Sequence, residues 1–176
     1  SAAGTGNKTL IQGQDQSGSN YAIEIGDAGA LKLTTPTINS WSGCRVYLNS
    51  TQAITTASTT LVQFTHENYD NLGEFNTSTY TFTATQAGTY LLGVTLQFVD
   101  MGDTKDILAY IDVNGTTVSV YDHKSSSANY ESTATNTIWK LSANDLVKFY
   151  ARHAHGSDRS LASGSSASHA YIQRIS

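Results

Sequence analysis

The residues of this chain with the clearest capacity for chemistry are histidines and aspartates towards its C-terminal end. His153 and His155 alternate along a segment that also contains Asp158. Alternate residues of a strand point to the same side, and imidazole and carboxylate groups are zinc ligands. The spacing matches no standard zinc motif, and polar residues are ordinary where a strand enters a loop. The sequence therefore leaves open both a metal site at His153 and His155 and an ordinary strand end.

Three further carboxylates, those of Asp100, Asp103 and Asp106, share one short segment between two apolar stretches. Calcium prefers oxygen ligands of this kind. The spacing is not that of an EF-hand loop, and acidic loops are usually solvated without a metal. We therefore expect no cofactor, with calcium at these aspartates as the main alternative to a solvated loop.

Residues for catalysis form no recognisable motif. Gly164 and Ser166 begin a Gly-x-Ser pattern that lacks the closing glycine of a nucleophile elbow. Paired catalytic carboxylates have no sequence signature of their own. The sequence therefore predicts a binding protein rather than an enzyme.

The composition of the chain limits the classes of partner that it could bind. Charged residues make up 14% of the 176 residues and hydrophobic residues 39%, with a net charge of −4. This mild charge offers no electrostatic attraction to nucleic acid or to an anionic membrane, and no apolar run reaches the length of a membrane-spanning helix. Cys44 is the only cysteine, so the chain cannot form an internal disulfide. We expect neither nucleic-acid binding nor membrane insertion.

Strand-like alternation dominates most of the sequence. Gly88–Val99 is the clearest case, because its apolar residues from Tyr90 to Phe98 fall on one face at a period of two. Further strands are predicted at Arg45–Asn49, Thr59–Thr65, Thr79–Thr83, Asp106–Val113, Thr116–Tyr121, Thr133–Leu141, Leu146–Arg152 and Ala170–Ile175. Roughly eight to ten short strands at close spacing, without helical periodicity, predict an all-β fold, either a β-sandwich or a jelly roll.

Two connections carry local signals. Asn114-Gly115 predicts a tight hairpin, because both residue types tolerate positive φ. In the strand after it, Val118 and Val120 are expected on one face. Ser157–Ser168 is rich in serine, glycine and alanine and is predicted to be a mobile loop.

Residues 1–43 differ from the rest and are interpreted as an arm. Short β-like runs at Lys8–Gln12, Tyr21–Ile25 and Leu31–Leu33 are separated by turn residues. Such short pieces cannot form an independent core in a monomer, but copies from several chains could pack together. The first six residues resemble a cloning remnant or a loose end, and we expect the natural chain to begin further upstream.

A set of anchors then points to a known family. The anchors are Phe64, Asp70, Phe75, Phe82, Gly88 and Tyr90. Their types and intervals are similar to the signature of the globular heads of complement component 1q, which belong with the tumour-necrosis-factor-like jelly rolls. Leu92 and Val94 stand where that family has aromatic residues, but both remain apolar and on the face of Tyr90. The resemblance covers about residues 44–176.

The resemblance implies a jelly-roll β-sandwich of about ten antiparallel strands, which assembles as a homotrimer and acts as a recognition head on a stalk. Exposed loops would then contact a glycan or a protein, and we expect Tyr69, Tyr130, Arg152 and Arg159 to bind this ligand. The arm would be the end of the stalk. Its segment 21–33 is similar to short β-rich units of tailed-virus fibre and decoration proteins.

These expectations favour a trimeric adhesion head of a virion fibre, or of a microbial surface protein, which binds a glycan or protein on a host surface. The expected location is extracellular or on the virion surface. Two alternatives stay open. One is a purely structural domain that trimerises, caps or decorates a fibre, and the other is a secreted carbohydrate-binding module.

Overall fold

The computed structural model describes the strand backbone of residues 8–14, 20–25 and 31–34, and residues 41–126 and 129–176 in full. The chain divides into two compact units, Ser1–Ser40 and Trp41–Ser176. Within these described ranges, no helix is long and apolar enough to cross a membrane.

The first unit contains an antiparallel sheet of three strands. β1 is Lys8–Gln14, β2 is Asn20–Ile25 and β3 is Leu31–Thr34, in the order β1-β2-β3. The three runs predicted from the sequence coincide with these strands and are extended by one or two residues. The turn residues 26–29 that we expected between β2 and β3 lie outside the described residues.

The second unit is a sandwich of two antiparallel sheets. Its strands are β4 (Gly43–Tyr47), β5 (Gln52–Ile54), β6 (Thr60–Leu61), β7 (His66–Asp70), β8 (Phe75–Asn76), β9 (Thr81–Thr83), β10 (Gly88–Val99), β11 (Asp106–Val113), β12 (Thr116–Lys124), β13 (Tyr130–Leu141), β14 (Leu146–His153), β15 (Arg159–Leu161) and β16 (His169–Arg174). The seven-stranded sheet has the order β5-β15-β10-β16-β4-β7. β15 and β16 pair with different parts of β10, and β13 pairs with the whole length of β10. The six-stranded sheet has the order β12-β11-β14-β9-β8, with β6 also on β14. This all-β architecture confirms the predicted jelly roll.

The core lies between the two sheets and is built largely from alternate residues of strands such as β10, β14 and β16. The predicted face of β10 is confirmed, since the side chains from Tyr90 to Phe98 at every second position are almost completely buried. Aromatic rings meet edge to face across the sandwich, with centroids 6.0 Å apart for Phe64 and Phe149 and 6.2 Å apart for Phe82 and Tyr90. Burial of such rings is the main hydrophobic contribution to a core of this size.

Two anchors of the sequence signature act through the backbone. Asp70 closes the turn after β7, because its Oδ2 accepts a hydrogen bond of 2.7 Å from the Phe75 amide. Gly88 is required by a close approach, since a Cβ there would lie 2.3 Å from the carbonyl oxygen of Ser176 and 2.4 Å from Nε of Arg174. A larger residue at position 88 would therefore displace the C-terminal strand.

A buried polar network lies where residue 41 enters the sandwich. Ser42 Oγ donates a hydrogen bond of 2.7 Å to Glu74 Oε2, and the Thr85 amide donates to Glu74 Oε1 at 2.8 Å. The Tyr90 hydroxyl lies 2.8 Å from Ser42 Oγ and 2.6 Å from the carbonyl oxygen of Gln86. Ser42 and Glu74 are buried, so these bonds replace the water that both groups lose on folding.

Two local predictions were wrong. The expected loop Ser157–Ser168 contains β15, which pairs with β5 and buries Leu161. Val118 and Val120 do not share an environment. A β-bulge in β12 pairs Ser119 with Ile111 and Thr117 with Asp112, so Val118 is the extra residue. Val118 packs against the core, while Val120 is 50% exposed on the outside of the sheet.

Candidate functional site

Loops from both sheets meet at one end of the sandwich and form what we call the apical loop cluster, residues 55–59, 100–105, 125–126, 129 and 154–158. Backbone and side-chain bonds tie the loops together. Ser125 Oγ donates to the carbonyl oxygen of Gly102 at 2.8 Å, and the Asp100 amide donates to that of Asn129 at 2.8 Å. The Thr56 amide donates to Asp158 Oδ1 at 3.1 Å. The cluster is therefore cross-linked by hydrogen bonds between loops distant in sequence.

Arg159, a predicted ligand-binding residue, uses its guanidinium group to bridge the loops of this cluster. Its Nε donates to the carbonyl oxygen of Asp100 at 2.7 Å, and its Nη1 donates to Ser157 Oγ at 3.2 Å. Its Nη2 lies 2.7 Å from His155 Nε2, which must therefore be the unprotonated nitrogen of that ring. Desolvation, followed by the charges of Arg159 and Lys105, lowers the pKa of His155.

His153 has a structural role. Its ring is fully buried against Phe98, with centroids 5.8 Å apart. Its Nε2 lies 2.8 Å from the carbonyl oxygen of Ile54, and its Nδ1 accepts a hydrogen bond of 3.2 Å from the His155 amide. Both nitrogens are thus engaged inside the protein. The expectation that His153 and His155 point to the same side was wrong, because β14 ends at His153 and His155 lies in the following loop.

The carboxylates predicted for calcium do not converge. Asp106 forms an ion pair with Lys124 across β11 and β12, and Asp103 is exposed. Asp100 has a left-handed backbone with φ of 61° and contributes its carbonyl oxygen to Arg159. Across the described part of the chain, no three His, Cys, Asp or Glu side chains are grouped so that they could hold a metal ion.

The other predicted ligand-binding residues are spread over the surface. Tyr130 begins β13 opposite Val99, next to the apical loop cluster, and is 59% exposed. Tyr69 lies on the edge strand β7, and Arg152 lies on the outer face of the six-stranded sheet. Tyr130 and Arg159 lie next to the apical loop cluster, and Arg152 lies on β14 one residue before this strand ends at His153.

The outward side of the seven-stranded sheet is a second candidate surface, and none of its residues except Tyr69 was predicted as a site residue. Strand pairing aligns its side chains in three rows, which we call the three-row face. The rows are Ile138-Leu91-Gln173-Gly43, Asn136-Gly93-Tyr171-Arg45-Tyr69 and Ala134-Thr95-His169-Tyr47-His66. The alternation of β4 and β16 was the signal for it, since Cys44, Val46, Ala170 and Ile172 are all buried on the opposite side.

The three-row face mixes aromatic and aliphatic side chains with uncharged polar ones, two histidines and one arginine, and its rows contain no carboxylate. Ile138 is 62% exposed. The Tyr171 ring covers Gly93, where a Cβ would be 2.1 Å from Tyr171 Cζ. His169 Nδ1 is buried and has no hydrogen-bond partner within the described residues. Desolvation, followed by the charge of Arg45, lowers the pKa of His169.

Solved structures share this fold at low sequence identity. Eiger TNF from S. frugiperda matches with a TM-score of 0.59 and 13% identity, over 77% of this chain and 93% of that chain. Murine APRIL at pH 5.0 matches with a TM-score of 0.59 and 14% identity, over 77% of this chain and all of that chain. The globular domain of zebrafish complement 1qA matches with a TM-score of 0.56 and 15% identity, over 76% and 95%. Among curated proteins, none matches this chain.

The sandwich is therefore a jelly roll of the kind shared by tumour necrosis factors and complement 1q heads. A family model narrows this class, because the model of the C1q domain matches residues 46–169. The chain belongs to the C1q domain family.

Proposed function

We propose that this protein is a homotrimeric recognition head, which uses its three-row face to assemble and its outer surfaces to bind a glycan or a protein on a host surface. Its place would be extracellular, on a virion fibre or on a microbial surface protein. Membership of the C1q domain family and the chemistry of the three-row face support this proposal.

The observation that carries the proposal is the composition of the three-row face. A sheet face that stays in water is normally rich in charged side chains. This face has one arginine, two histidines and no carboxylate among its rows, while Ile138 and four aromatic or aliphatic side chains (Leu91, Tyr47, Tyr69 and Tyr171) lie on it. Tyrosine and apolar residues without charge are typical of the buried centre of protein interfaces. Covering by a second protomer would also offer a partner to His169 Nδ1.

Recognition is assigned to the surfaces that such an assembly leaves in water. Tyr130 is the most exposed aromatic ring beside the apical loop cluster. The bonds of Arg159 hold the loops in one arrangement, which lowers the entropy cost of binding there. Residues 1–43 would serve as the neck that joins the head to a fibre, a placement supported by the resemblance of segment 21–33 to viral fibre units.

A purely structural role as a fibre cap is the second candidate. Arg159 and His155 favour it, because both polar side chains are used in bonds between loops rather than offered to a ligand. In this case the trimer would form, but no surface would bind glycan or protein.

The test is the solution mass by light scattering, measured with and without a chelator. A trimer has a mass of 3 × 18.8 = 56.4 kDa. We expect this mass under both conditions, because the carboxylates expected to bind calcium do not converge. A monomer over the whole concentration range would refute the assembly, and a trimer that fails to bind host cells or cell extracts would favour the structural cap.

A further inference from the structure

The outer face of the six-stranded sheet carries an apolar row in which two tyrosines are central. Strand pairing places Val120 beside Tyr110, Tyr110 beside Tyr150, and Tyr150 beside Leu61. We call these four residues the tyrosine row. Their side chains point away from the core, because the residues that alternate with them, Ile111, Ala109, Phe149, Ala151 and Val62, are buried on the inner side.

Charged residues flank the tyrosine row on both sides. One flank pairs Asp112 with Lys148, and the other places Asp122 and Arg152 on either side of Leu108. Within the described residues, the side chains of Lys148, Arg152 and Asp122 form no hydrogen bond or ion pair. Asp112 is only 8% exposed, and its Oδ1 accepts a hydrogen bond of 2.8 Å from the Gly115 amide.

We propose that the tyrosine row and its charged flanks bind a short neutral oligosaccharide on the outer sheet. The inference rests on the proposed recognition function and gives it a ligand class and a location. The rings of Tyr110 and Tyr150 offer an apolar platform for the C–H face of a sugar ring. The exposed carboxylate of Asp122 accepts hydrogen bonds from sugar hydroxyls, and the donors of Arg152 and Lys148 supply charge-assisted bonds to sugar oxygens.

The area of the tyrosine row and the charges of its flanks favour a short neutral oligosaccharide as the ligand. Strands lie about 4.8 Å apart, so the row spans about 14 Å across four strands and about 7 Å along them, roughly 100 Å². A stable protein interface buries about 800 Å² per partner, so the platform suits a small ligand. The flanks carry two carboxylates and two cations, which sum to zero and favour an uncharged saccharide over a sialylated one.

The side chains of the tyrosine row are accessible to a ligand. Val120 is 50% exposed at the edge of the sheet, and both tyrosines are partly exposed. Desolvation, followed by the charge of Asp112, raises the pKa of Tyr150, so its hydroxyl stays protonated and can donate to a sugar oxygen. The bulge in β12 contributes directly, because it turns Val120 from the core side to this outer face.

The experiment is a titration calorimetry screen of the full chain against glucose-, galactose- and mannose-based oligosaccharides, with sialylated ones in parallel. For the best neutral ligand, Tyr110→Ala and Tyr150→Ala should each weaken binding about tenfold or more, because each removes one stacking ring. Tyr150→Phe keeps the ring and should retain most of the affinity. Tyr121→Ala is the matched control, since Tyr121 is 50% exposed and pairs with the buried Ala109, outside the tyrosine row. Tyr130→Ala tests the apical end as the alternative binding site.

The outcomes separate this inference from the proposed function. Binding that only Tyr130→Ala abolishes would overturn the outer-sheet site, while recognition by the head would stand. Binding of sialylated ligands alone would also overturn the neutral-saccharide site, while glycan recognition by the head would stand. Binding of no saccharide would overturn the site as well and would leave a protein as the ligand of the head. If the alanine variants fail to fold, Val120→Asn and Arg152→Ala, both at the surface, give the same test. A wild-type protein that does not form the 56.4 kDa trimer would contradict the proposed assembly and would leave the oligosaccharide site untouched.

Discussion

Replacing Ile138 with aspartate is the most direct test of the three-row face. Ile138 is 62% exposed in the single chain. Full burial of an aliphatic side chain contributes about 1.5–3 kcal/mol, so covering the exposed part would contribute about 1–2 kcal/mol per protomer. Three protomers would then lose about 3–6 kcal/mol. This loss raises the dissociation constant of the trimer by roughly two to four orders of magnitude, and the desolvation of three new carboxylates adds to it.

The assay is light scattering over a wide range of protein concentration, with the fold checked by circular dichroism. The monomer should stay folded, because Ile138 contributes little to the core of its own chain. Val120→Asp is the matched control, since it places the same charge at an exposed apolar position on the other sheet and should leave the trimer intact. An Ile138→Asp protein that remains a trimer at the lowest concentrations would refute the role assigned to this face.

Three further changes probe neighbouring features. Gly93→Ala places a Cβ 2.1 Å from Tyr171 Cζ and pushes the ring outward; we expect little change in the thermal stability of the monomer but a weaker trimer by light scattering. Tyr90→Phe removes the hydroxyl that lies near Ser42 Oγ and the Gln86 carbonyl oxygen; urea titrations should show a loss of about 1–3 kcal/mol. The lowered pKa of His169 means that the unfolded chain binds this proton more readily than the folded one. Stability should therefore fall as the pH drops below about 6.5, and His169→Gln should flatten that slope in urea titrations.

Each of these expectations has a contradicting result. A Gly93→Ala trimer as tight as the wild type would show that Tyr171 is not at the interface. A Tyr90→Phe protein of unchanged stability would show that the hydrogen bonds of the Tyr90 hydroxyl do not stabilise the fold. His155→Gln is the comparison for the pH effect, because the pKa of His155 is lowered as well. If stability depends on pH equally in His169→Gln and in the wild type, His169 is not the cause of the effect. All titrations need equal protein concentration, since assembly raises apparent stability.

Much of the fold was predictable because β-strands of a sandwich alternate with a fixed period. The bounds of β10 and β11 coincide with the runs predicted from the sequence. The short β15 was missed because it has three residues, too few to show a period. The misplacement of Val120 has the same cause, since one inserted residue in β12 reverses every later position.

The candidate surfaces were less predictable, because they depend on which strands become neighbours. Arg152 and Tyr150 are two residues apart in sequence, but their relation to Asp122 and Tyr110 follows only from the pairing of β11 with both β12 and β14. The metal hypothesis for His153 and His155 assumed that the strand continued. The roles of Arg159 and His155 in linking loops likewise required contacts between segments distant in sequence.

The buried network around Glu74 has a mechanical consequence. Any tension that reaches the second unit from residue 40 enters at Trp41 and Ser42 and runs into β4. Ser42 is clamped by Glu74, and its carbonyl oxygen accepts a hydrogen bond of 3.0 Å from the Arg174 amide. β4 is paired on both sides, with β16 and β7, so it cannot be peeled from a free edge. The second unit is thus held at an inner strand, and a force applied at Trp41 would have to shear two rows of backbone hydrogen bonds at once to displace β4.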